Sequence, residues 1–182
     1  IWLKAMIVLA RNSKIDAALP LIEQALNAGY NPPATNNILF SIAPEFSSEN
    51  YSKLVEFLES LAAKESDGLD LNKAQVDSEM AQRLGRTQAI FGLLIQFLMD
   101  LNSFYQHATL KQLASYLEGA LKYQPNNAEY WVRLAMTYGR LHEKDKAIAA
   151  AKETLRINPQ FYQKDASSFI QIMENEDWSK IE

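Results

Sequence analysis

The most regular pattern of apolar and polar positions in the chain runs from Asn127 to Pro159. Trp131, Leu134, Ala135 and Tyr138 recur at helical spacing and put one apolar stripe on a first helix. Ala147 and Ala151 are small enough to let a second helix approach it closely. The pattern predicts two antiparallel helices joined by a short turn. Residues 1–29 repeat it more loosely: Asp16 is placed to cap a second helix, Pro20 falls near its first turn, and Gly29 supplies the stop. Asn31-Pro32-Pro33 is a break. A short helix from Thr35 or Asn36 through Ala43 follows and ends at Pro44. The next helix, capped by Ser47 or Ser48, turns Tyr51, Leu54, Val55, Leu58 and Leu61 inward and Lys53, Glu56 and Glu59 outward, so residues 35–64 read as a helix pair.

Residues 65–76 are polar, with Ser66-Asp67-Gly68 as turn chemistry, and predict a flexible link or insertion point. Residues 77–125 hold a long apolar-periodic stretch with Met80, Leu84, Ile90, Leu94, Phe97, Leu98 and Leu101 inward, either one helix or two pieces broken near Gly85. A helix capped by Thr109 then runs through Tyr123, with Leu113, Leu117, Ala120 and Leu121 inward, and Pro125 closes it. Beyond Pro159, Phe161, Phe169, Ile170, Ile172 and Met173 mark a final helix over residues 161–175, with Trp178 placed to fold back on it. The acidic tail after Glu174 reads as a solvated end.

The 127–159 segment resembles the tetratricopeptide repeat, a 34-residue helix pair with Trp, Leu, a small residue and Tyr on its first helix and Ala, an apolar residue, Ala and Pro on its second. Trp131, Leu134, Ala135, Tyr138, Ala147, Ala151 and Pro159 occupy those places; Thr154 stands where the last Ala is usual, and His142 where the turn usually has Gly. Setting Trp2 against Trp131 aligns Ala5 with Leu134, Leu9 with Tyr138, Arg11 with Arg140, Asp16 with Asp145, Ala18 with Ala147 and Leu26 with Leu155 without a gap. Pro125 and Pro159 are 34 residues apart, the period of the family. The resemblance implies an all-α fold, a right-handed superhelix of three to four helix pairs closed by a C-terminal capping helix, with the whole of 1–182 as one domain.

Composition narrows the function. The chain has 182 residues, and its formal net charge of −4 provides no basic footprint for a phosphate backbone, so nucleic acid is disfavoured as a partner. With no cysteine there is no disulfide framework, thiolate zinc site or catalytic thiol, and cytoplasm and periplasm both stay open. The most apolar run, Ala89 to Met99, contains Gln96 and falls short of the roughly 20 residues that span a bilayer. An opening Ile1 is expected of a fragment or a processed product, with room for an upstream signal or anchor. His107 and His142 fall in or near predicted turns without a second ligand four residues on. Asp67, Asp70 and Asn72 lack the spacing of a calcium loop. No phosphate loop, nucleophile elbow or paired-carboxylate motif stands out, so neither catalysis nor a cofactor is expected.

Function is then expected on the concave wall that the family builds from its first helices. By resemblance the groove positions are Glu129, Val132, Met136 and Arg140 in the last repeat and Leu3, Ile7 and Arg11 in the first. The family's clamp for a chaperone's C-terminal carboxylate needs Lys and Asn where this chain has Val132 and Met136, or Leu3 and Ile7, so that clamp is absent. An apolar groove rimmed by Arg11 and Arg140 suits a protein or peptide partner, either an amphipathic helix or an extended segment bearing a carboxylate. A second copy of the chain is a further partner of the same kind. The bland alternative packs these apolar side chains between neighbouring repeats. A second functional reading rests on Ala28-Gly29-Tyr30-Asn31-Pro32-Pro33 and the segment after Pro159, which are similar to soluble repeat domains appended to bacterial membrane glycosyltransferases and O-antigen polymerases.

Overall fold

A computed structural model describes residues 14–29, 48–100 and 107–175, and these are helical throughout apart from short turns, with no strand among them. The chain divides into two compact units, residues 1–101 and 102–182, the division falling inside the stretch 77–125. The first unit holds α1 (Ile15–Asn27), α2 (Ser48–Ser66), a 3-10 turn (Lys73–Gln75) and α3 (Ser78–Asp100). The second holds α4 (His107–Tyr123), α5 (Ala128–Arg140), α6 (Lys144–Ile157) and α7 (Pro159–Glu174). Leu3, Ile7, Arg11, the helix expected from Thr35 or Asn36 to Ala43, and Trp178 lie outside the described residues, as do the side chains of Tyr51 and Phe161.

In the first unit α1 buries Ile15, Ala18, Ile22, Ala25 and Leu26, one stripe at three- and four-residue intervals. Asp16 does not cap this helix. Lys14 occupies the cap position without a side-chain hydrogen bond, and Asp16 sits in the first turn, where a carboxylate is favoured by the partial positive charge of the free N–H groups. Pro20 also lies deeper than expected. It is the sixth helical residue, past the free N–H groups, so the carbonyl of Asp16 loses its regular donor. Gly29 ends the helix as predicted, with φ 75° and its N–H on the carbonyl of Leu26.

Two ion pairs fix the direction of α2 against α1. Lys53 Nζ lies 3.4 Å from Asp16 Oδ2, and eleven residues on Lys64 Nζ lies 2.8 Å from Glu23 Oε1. Because both partners advance together along their chains, α1 and α2 run parallel. Between them α2 buries Leu54, Val55, Leu58, Leu61 and Ala62. Full burial of one such leucine contributes roughly 1.5–3 kcal/mol.

The connection after α2, read as a flexible link or insertion point, is tied by hydrogen bonds at several places. Gly68 turns the chain at φ 61°. Asp70 Oδ1 accepts from the N–H groups of Asn72 (2.9 Å) and Lys73 (3.2 Å), and Asp77 Oδ1 from those of Glu79 (2.8 Å) and Met80 (3.1 Å), which makes Asp77 the N-cap of α3. From α3, Arg83 Nη2 donates to the carbonyls of Glu65 (3.1 Å) and Asp67, and Arg86 Nε lies 2.9 Å from Glu65 Oε2. Glu65 is only 7 % exposed. A buried carboxylate persists because it is paired, and the carbonyls at the end of α2 are satisfied by a cation from the next helix.

α3 is one helix, unbroken at Gly85. Its first two turns are mostly exposed, whereas no side chain from Arg86 to Met99 is, with Ile90, Leu93, Leu94, Ile95, Phe97 and Leu98 all at 2 % or less. An apolar helix half enclosed on every side is a central core element.

The second unit is a run of helices each packed on the next: α4 on α5, α5 on α6, α6 on α7. The short turns between these packed neighbours make them antiparallel. α4 is already helical at His107, so Thr109 lies in its first turn and is not its cap, and His107 is the first residue of the helix. Leu110, Leu113, Ala114, Leu117, Ala120 and Leu121 are buried. α7 opens at Pro159, two residues before its expected start, with proline at the first helical position where its missing N–H costs nothing. Lys144 Nζ, at the beginning of α6, donates to the carbonyl of Glu174 (3.2 Å) at the end of α7.

Candidate partner-binding face

The candidate face is carried by α5, whose orientation is set from its N-terminus. Asn127 Oδ1 accepts from the N–H of Tyr130 (3.2 Å), capping the helix, and the indole N–H of Trp131 reaches back to the carbonyl of Pro125 (2.8 Å). Leu134, Ala135 and Tyr138 are buried, as the stripe predicted, while Trp131 is only half-buried. At the other end the N–H of His142 bonds to the carbonyl of Gly139 and that of Glu143 to the carbonyl of Tyr138, the two bonds of a Schellman stop. This geometry places His142 at φ 58°. The family pattern's preference for glycine there thus has a physical basis, since a side chain in the left-handed region is strained.

The packing behind α5 is closed by small and satisfied groups. Ala147, Ala150 and Ala151 of α6 are at 2 % exposure or less, and the fully buried Thr154 donates its hydroxyl to the carbonyl of Ala150 (3.2 Å), so the hydroxyl that replaces the usual alanine is not left unpaired. Tyr138 donates its hydroxyl to the carboxylate of Glu118 on α4. Burial and then the Glu118 bond push this phenol well above its ordinary pKa of 10.0. Lys146 of α6 stands 5.0 Å from the centre of the Tyr138 ring. Its own pKa is raised, chiefly by its hydrogen bond to Glu143. One aromatic side chain therefore ties α4, α5 and α6 together.

On the opposite side of α5 lie Glu129, Val132, Met136 and Arg140, at intervals of three, four and four residues, which is one helical face. Met136 is 46 % exposed and, with Val76 at 90 %, is one of two exposed large apolar residues among those described. Val132 and Arg140 are intermediate. Glu129 is not a free acid: it pairs with Arg133 one turn on, whose Nε lies 3.1 Å from its Oε1. The face is thus a methionine and a valine between an internally neutralised ion pair and an arginine. Arg133 joins it as a residue that the groove positions omitted, and the i, i+4 spacing of Glu129 and Arg133 was the available signal. Leu3, Ile7 and Arg11, the first-repeat counterparts, are outside the described residues.

Among the described residues no group of three or more His, Asp or Glu side chains is placed to hold a metal ion, and no helix is long and apolar enough to cross a membrane. No protein-family model and no curated protein matches the sequence.

Proposed function

We propose that this chain is a tetratricopeptide-like repeat protein whose helix hairpins stack with one hand into a right-handed superhelix, and that it acts without catalysis as a scaffold for a protein or peptide partner. Three features support the repeat reading. The helix pair α5–α6 ends its first helix in a turn that demands a left-handed residue at the family's glycine position. α1 begins at Ile15 and α6 at Lys144, the 129-residue offset that also separates Trp2 from Trp131. The parallel run of α1 and α2 is the relation between second helices of successive stacked hairpins.

The binding reading rests on Met136. An unbranched, polarisable side chain left half in water on a helix otherwise packed along its opposite stripe suits an adaptable apolar contact. The partner face is assigned to Glu129, Val132, Met136 and Arg140, with Leu3, Ile7 and Arg11 as the corresponding positions of the first repeat. The test compares proteins captured from a lysate by the wild-type chain and by Met136→Asp/Arg140→Glu, identified by mass spectrometry. The variant is expected to keep its circular dichroism spectrum and lose the captured set. An unchanged set from a folded variant removes the site from this face.

A further inference from the structure

We draw no further inference here: the strongest candidate, the 90 % exposed side chain of Val76 between the 3-10 turn and α3, is a single unpartnered apolar group, and nothing in the structure shows what covers it.

Discussion

The indole of Trp131 donates to the carbonyl of Pro125 across the turn that joins α4 to α5, at 2.8 Å. Trp131, which the apolar spacing placed on the inward stripe, therefore acts partly as a clasp, holding its own helix to the preceding turn, and only partly as core. Trp131→Phe keeps most of the ring contact and removes the donor, and it is expected to cost about 1 kcal/mol, the usual net worth of such a bond. Trp131→Ala should cost more, roughly 2–4 kcal/mol, below the largest aromatic truncations because the side chain is half-buried. Urea unfolding of both variants measures the difference; equal losses would leave the hydrogen bond without a role.

Removing the guanidinium of Arg86 leaves the carboxylate of Glu65 buried without its ion-pair partner. Arg86→Ala is expected to destabilise the first unit by about 3 kcal/mol, the low end for a broken buried pair because Arg86 keeps some access to water. Glu65→Gln/Arg86→Met, which removes both charges, should recover much of that loss. Thermal melts of the single and double variants decide the point, and a double variant as unstable as Arg86→Ala would refute the pairing account.

Thr87 is fully buried, and its hydroxyl has no hydrogen-bond partner. Thr87→Val is nearly isosteric and removes the unsatisfied group, so it should be neutral or stabilising by up to about 1 kcal/mol. A loss of more than that in chemical denaturation would mean that the hydroxyl is satisfied in solution.

Glycines at two positions should respond in opposite senses to the same substitution. A Cβ built on Gly85, inside α3, meets nothing within 4 Å, and Gly85→Ala is expected to stabilise by about 0.5–1 kcal/mol. Gly68 also has open space around it, yet its φ of 61° makes Gly68→Ala destabilising by about 1 kcal/mol. Matched melting curves test the pair.

Alkaline pH should expose the Tyr138–Glu118 contact. A phenol whose pKa is raised in the folded state contributes stability that is complete below its unfolded value of 10.0 and is lost as pH climbs from there toward the folded value. Lys53, Lys64 and Lys146 are raised in the same sense, chiefly by bonds to Glu49, Glu23 and Glu143, so the whole protein loses stability above pH 10. Tyr138→Phe should lose less than wild type between pH 9 and 12. Parallel losses in denaturation series would remove Tyr138 from the effect.

Most helices were legible because burial and periodicity agree along them. Leu134, Ala135 and Tyr138 in α5, or Leu54, Val55, Leu58 and Leu61 in α2, face one way for reasons contained within a dozen residues. The tethering of residues 65–77 was not legible. It depends on Arg83 and Arg86 reaching residues 16 to 21 positions earlier, and no local period encodes such a pairing. Asp77 was readable in principle as a cap, but the polar stretch before it read as a link or insertion point. The helix starts moved by two or three residues: Asp16 and Thr109 have capping chemistry, yet the chain enters each helix just ahead of them. On the candidate face the positions came from the family pattern. What charge counting missed there is that Glu129 is committed to Arg133, although their i, i+4 spacing signals the pair.

The two halves of α3 inhabit different environments, the first mostly exposed to solvent and the second without an exposed side chain from Arg86 to Met99. Backbone amides along a single uninterrupted helix should therefore trade their hydrogens on separate clocks, quickly near Ser78 and slowly near Leu94. Unravelling starts at the capped, water-facing end and must halt where the enclosure begins, so the latter half marks the part of the first unit that lets go last.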